Sequence, residues 1–147
     1  MQNITVKYSE VKKAIEEVKN LIENTIGVKS SKIKLNNAFY QDFGVYELDW
    51  DEFIIAYENK FNSNLEGLLY ERFFAEVGDE FINFKLTFLR IVYSFTAPIN
   101  KNHRKKLTYL KSKKHKKLEK LTVADIVLSS INKKFTERKN VNLILVH

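Results

Sequence analysis

Turn-forming residues are scarce in this chain. Four glycines (Gly27, Gly44, Gly67 and Gly78) and one proline (Pro98) punctuate 147 residues. A β-sandwich uses a turn signal about every 8–12 residues. The long stretches between breakers suit helices instead, and an all-α fold is expected. A hydrophobic content of 44% over this length can build one core, so residues 1–147 read as a single domain. There is no cysteine, which excludes disulfides, thiolate metal sites and cysteine nucleophiles. The first residues lack a basic segment followed by an apolar run, so no secretory signal is read and a cytoplasmic location is expected.

Apolar periodicity places the helices. Val11, Ala14, Ile15, Val18, Leu21 and Ile22 recur at three- and four-residue steps, predicting a helix from a Ser9 cap to about Asn24, with Gly27 as its stop. Residues 28–46 form a long connection pinned by Phe39, Tyr40 and Phe43. A second helix is predicted over Leu48–Asn62, with Leu48, Ile54, Ile55, Ala56 and Phe61 toward the core. Trp50 is assigned to the core rather than to an interface. A short third helix is predicted over Leu68–Ala75, burying Leu69, Phe73 and Phe74. Asp79–Ala97 is strongly apolar, but Lys85 and Arg90 interrupt it. Each such charge costs about 2.5–3.5 kcal/mol at a membrane centre, so a buried helix is expected rather than a span. Thr122 and Asp125 have the spacing of a capping box and predict a last helix with Val123, Ile126, Val127 and Ile131 inside. Val141–Val146 is a short apolar end, strand or helix.

Charge is unevenly distributed. Residues 1–97 hold 11 Lys and Arg against 15 Asp and Glu, a net of −4; residues 98–147 hold 14 against 3, a net of +11. Within the first part, Asp42–Glu80 carries 11 acids against Lys60 and Arg72. A chain so divided is a dipole that orients approach to charged partners.

At Asp42–Phe61 the sequence DFGVYELDWDEFIIAYENKF is a tight glycine turn running into an amphipathic helix. This layout resembles acyl carrier proteins, in which a D-x-G-x-D-S-L turn bears the phosphopantetheine serine. Asp42, Gly44 and Leu48 match that pattern, whereas Tyr46 replaces the aspartate and Glu47 falls at the serine. The run Gly44-Val45-Tyr46, Asp49, Asp51-Glu52-Phe53 and Lys60-Phe61-Asn62 is similar to a bacterial family of acyl-carrier-like proteins of unassigned function. That family shows a G-I-Y-G-D-D turn in place of the serine motif, then an E-F pair and a K-F-N-V-D segment. It closes with an L-T-x-x-D-L-V helix, to which Leu121–Val127 corresponds. Glu47-Leu48 and Ser63-Asn64 depart from its pattern. The likeness covers residues 39–74 and 121–135, about half of the chain.

The resemblance implies an acyl-carrier-like helical bundle: helix, long loop, helix, short helix, then an inserted apolar helix and basic loop over 79–120, and a final helix. Residues 136–147 form an extension. It also implies that no phosphopantetheine cofactor is held, because a carboxylate at Glu47 cannot be esterified as a serine hydroxyl can. The acidic face of the second helix (Tyr46, Glu47, Asp49, Asp51, Glu52 and Glu58) is then expected to dock a protein with a basic patch. Charge complementarity there speeds association while apolar contacts set affinity.

No catalytic or metal site is expected. His103, His115 and His147 lie in basic or terminal segments, and no calcium-loop spacing or phosphate-cradling glycine loop is present. Carriage through another serine, such as Ser63, is the enzyme-linked alternative. The basic segment holds Lys101, Arg104, Lys105, Lys106, Lys111, Lys113, Lys114, Lys116, Lys117 and Lys120. It admits nucleic acid, an anionic membrane surface, the chain's own acidic region, or plain solvation.

Overall fold

A computed structural model describes residues 1–75 and 118–146, together with 87–89, 91, 92, 94, 95, 104 and 105. The chain divides into two compact units, residues 1–74 with 119–147, and residues 75–118.

In the first unit, β1 (Gln2–Lys7) leads directly into α1 (Tyr8–Ile26). Lys7 is therefore the residue that precedes the helix, and Ser9 lies inside it. The inner face of α1 is as predicted, with Ala14, Val18, Leu21 and Ile22 buried. Gly27 ends it in the left-handed conformation, φ 80°, its N–H on the Glu23 carbonyl at 3.1 Å. The long connection contains a 3₁₀ turn (Ser30–Lys32) and the five-residue α2 (Phe39–Phe43). Then come α3 (Glu47–Phe61), the single turn α4 (Tyr70–Phe73) and α5 (Val123–Asn132). A 3₁₀ turn (Arg138–Asn140) leads into β2 (Val141–Val146).

The all-α expectation is corrected by the termini. β1 and β2 pair in parallel, Gln2 opposite Val141 through to Lys7 opposite Val146. Parallel strands need a long crossover between them, and here nearly the whole unit intervenes. Ile4 and Val6 are buried. Their register partners Leu143 and Leu145 share their face of the sheet, as in-register residues of parallel strands do. The question left open for Val141–Val146 is thus answered as strand.

The core is aromatic. Trp50 stacks on Phe53 with ring centroids 5.4 Å apart, and Phe74 lies 4.8 Å from Trp50. Phe39 closes the group at 5.0 Å from Phe53 and 5.4 Å from Trp50. Trp50, Phe53, Tyr57 and Phe61 are the buried stripe of α3. Burial pushes the Tyr57 hydroxyl pKa upward, and that hydroxyl donates to the Ile126 carbonyl at 3.0 Å. Leu48 and Ile55, assigned to the core from sequence, are exposed, whereas Ile54 and Ala56 are half-buried against it. In α4 the prediction holds for Phe73 and Phe74, but Leu69 is exposed.

Loops are tied to α5 at both ends. Its first N–H groups, on Val123 and Ala124, donate to the carbonyls of Asn37 and Leu35, each at 2.9 Å. Beyond its far end the Asn64 N–H donates to the Lys133 carbonyl at 3.3 Å, and the Phe135 N–H donates to the Asn64 carbonyl at 3.1 Å. The capping box is present: Thr122 Oγ1 accepts from the Asp125 N–H, and Asp125 Oδ2 accepts from the Thr122 N–H at 2.8 Å. Asp125 Oδ1 also accepts from the Arg138 N–H at 2.6 Å, which anchors the approach to β2.

Candidate functional site

Local chemistry builds the entrance to α3. Asp42 Oδ2 accepts from the Ala38 N–H at 2.7 Å and closes the start of α2. Gly44 ends α2 at φ 65°, its N–H on the Tyr40 carbonyl at 3.1 Å. A side chain at this left-handed position is strained. Asp42 and Gly44 therefore hold a turn, whatever else they do. Val45 is buried beyond it and donates to the Phe39 carbonyl at 3.1 Å. Tyr46 is the residue before the helix, and Glu47 takes its first position.

From there the outer face of α3 is set by the aromatic stripe on its inner face. With Trp50, Phe53, Tyr57 and Phe61 turned inward, positions 48, 51, 52, 55 and 59 fall on the opposite side of a 3.6-residue helix. Leu48 is 84% exposed and Ile55 63%. Asp51 and Glu52 are exposed between them. Tyr46 sits at the same end, 41% exposed, its ring edge-on to Tyr40 at 5.7 Å. Two apolar side chains about two helical turns apart, with two acids between, form an amphipathic patch.

Of the predicted docking residues, Tyr46, Asp51 and Glu52 are at this patch. Asp49 is exposed on the flank of the helix. Glu58 belongs elsewhere: its Oε1 accepts from the Leu65 N–H at 3.2 Å, fastening the loop after α3. Leu48 and Ile55, expected in the core, are instead part of this exposed patch. The signal that finds them is the four-aromatic spacing 50, 53, 57, 61, which fixes the inner face first.

Ser63 is 3% exposed and donates to the Ser129 carbonyl at 3.1 Å. Among the described residues no group of His, Asp and Glu has the arrangement of a metal site. A charged cluster does occur where the chain returns to the first unit. Arg72 pairs with Glu119 at 2.9 Å and with Glu137 at 3.1 Å, and Lys139 meets the same two acids at 3.0 and 2.8 Å. Hydrogen bonds from Arg72 and then Lys139 hold the Glu119 carboxyl down to about 2. Burial of Glu137 opposes its ionisation, but hydrogen bonds from Lys139 and Arg72 outweigh that and leave its pKa lowered.

In the basic segment, Arg104, Lys105 and Lys120 are exposed. Lys101, Lys106, Lys111, Lys113, Lys114, Lys116 and Lys117 lie outside the described residues, as do His103, His115 and His147. Of the apolar run 79–97, residues 87–89, 91, 92, 94 and 95 are helical, and Phe88, Ile91, Val92 and Phe95 are exposed rather than buried. No helix among the described residues is long and apolar enough to cross a membrane.

The chain is similar to an acyl carrier protein of Trieres chinensis, 42% identical over 48 residues. The match takes in 33% of this chain and 60% of that protein, so the chain spans about three fifths of the relative's length. No family model matches, and no solved structure matches. The likeness to acyl carrier proteins is thus partial, and it is carried by sequence.

Proposed function

We propose that the chain is a non-catalytic, acyl-carrier-like protein that holds no phosphopantetheine arm and acts as a protein–protein interaction module. The observation that carries this reading is the exposed pair Leu48 and Ile55 with Asp51 and Glu52 between them, at the start of a helix entered through a carrier-like turn. From Asp42 to Asn62 the sequence has no serine, and Glu47 stands at the first helical position. Ser63, the alternative attachment residue, is buried with its hydroxyl engaged. The partner's complementary surface combines basic side chains with an apolar recess. The cations set the rate of encounter, and burial of Leu48 and Ile55 sets the residence time.

Two measurements test this. Incubation with a phosphopantetheinyl transferase and coenzyme A should leave the intact mass unchanged, and a gain equal to the arm refutes the arm-free assignment. A photo-crosslinking amino acid at position 59, exposed on the same outer face, should capture a discrete protein in cells. Asp51→Lys/Glu52→Lys should abolish that product, and an undiminished product with the charge-reversed chain refutes the docking face.

A further inference from the structure

The second unit presents an apolar face of a different kind. Phe88 is 57% exposed, Ile91 52%, Val92 38% and Phe95 80%. All four are helical, and their spacing of three, four and seven residues is that of one side of a helix. Large apolar side chains scattered singly over a surface need no explanation, but four on one helical face mark an interaction site. Immediately beyond them, residues 100–120 hold ten Lys and Arg against the single acid Glu119. Arg104 and Lys105 of that run are exposed.

We propose that this segment is a lipid-surface anchor, seating Phe88, Ile91, Val92 and Phe95 at the headgroup–acyl boundary of an anionic bilayer. The cations that follow are then held by the negative surface potential. Neither half of the feature suffices for another occupant. A nucleic acid would neutralise the cations but leave two phenylalanines in water. A second copy of the chain could cover the apolar face, but it would bring two strongly basic segments together. An anionic bilayer answers both, since interfacial binding sums buried apolar area and attraction of cations to acidic headgroups. Insertion to headgroup depth also avoids the cost that Lys85 and Arg90 would impose on a span.

Flotation of the full chain with phosphatidylcholine vesicles, and with vesicles that also contain phosphatidylglycerol, tests the proposal. Binding should require the anionic lipid and fall as salt is raised. Phe88→Ser/Phe95→Ser should weaken it by at least about tenfold, given the apolar area removed. Arg104→Glu/Lys105→Glu should weaken it by roughly tenfold or more, from the loss and reversal of two charges. Circular dichroism matching the unaltered chain shows that each variant is folded. As a second readout that leaves the apolar face intact, Phe95→Trp should shift its emission to the blue on anionic vesicles only. Leu48→Ala/Ile55→Ala should bind vesicles like the unaltered chain, which separates this surface from the docking face on α3. Four results overturn the anchor: equal binding to neutral vesicles, wild-type binding by the serine variant, no emission shift, or association with duplex DNA in preference to vesicles. Loss of dimerisation in the serine variant, with vesicle binding unchanged, would instead assign the face to a second copy.

Discussion

Helices α3 and α5 serve the same core in opposite ways. Along α5, residues Val123 to Ser130 are all buried, and both ends are fastened to loops. Along α3, one aromatic stripe is buried and the opposite side leaves Leu48 and Ile55 in water. Apolar content therefore says little about role: α5 is used up by the fold, whereas α3 keeps apolar surface unspent. The difference predicts that stability resides in α5 and the inner stripe of α3, and recognition in its outer face.

The strongest test of that division is Phe53→Ala. Phe53 is fully buried between Phe39, Trp50 and Tyr57. Truncating a core phenylalanine costs about 3–5 kcal/mol. Urea unfolding should show that loss, and a change below about 1 kcal/mol would mean the aromatic cluster is not the core it appears from burial.

Next comes Asp125→Ala. This one carboxylate completes the capping box of α5 and accepts the Arg138 N–H. Loss of a cap costs about 0.5–2 kcal/mol, and the N–H of the exposed Arg138 can turn to water, so a loss of roughly 1–2 kcal/mol is expected. Retention of full stability would show that water replaces the carboxylate at both positions.

These two helices also explain what could be read in advance. The start of α5 was legible because Thr122, Asp125 and the aliphatic residues after them are a local signal that needs no tertiary context. In α3, adjacent Ile54 and Ile55 both scored as core, and only the aromatic spacing decides which of the two faces inward. The sheet was not legible for a different reason. Ile4 and Val6 give only two alternating positions, and their partners lie at Leu143 and Leu145, across almost the entire chain. No local pattern encodes a parallel pairing of that separation. On the outer face of α3, exposed Asp51 and Glu52 agree with the polar pattern, whereas Leu48 and Ile55 are apolar residues in water, which an apolar count alone assigns to the interior.

A smaller effect is expected at the charged cluster. Glu119 and Glu137 titrate below the ordinary carboxylate value in the folded chain. A depressed folded pKa contributes stability that is present above the unfolded value of 4.5 and is lost as pH falls through the folded one. Stability should therefore decline from about pH 5 toward pH 2. Arg72→Met removes one of the two cations that hold both acids and leaves Lys139, so it should lower stability at pH 7 and partly flatten that decline. An unaltered slope in thermal melts across this range would assign the acid sensitivity to other carboxylates.

The smallest expected change in stability is the one that most sharpens the comparison. Leu48→Ala/Ile55→Ala removes two large apolar side chains from α3, as Phe53→Ala removes one. Because both are in water in the folded chain, little burial is lost, and alanine is the better helix former at either position. Stability should stay within about 0.5 kcal/mol of the unaltered chain. Crosslinking through α3 should nonetheless collapse, since apolar anchors at the centre of a patch carry most of its binding energy. A large stability loss would mean that the outer face of α3 is covered in the folded protein. The division between a consumed helix and a reserved one would then fail.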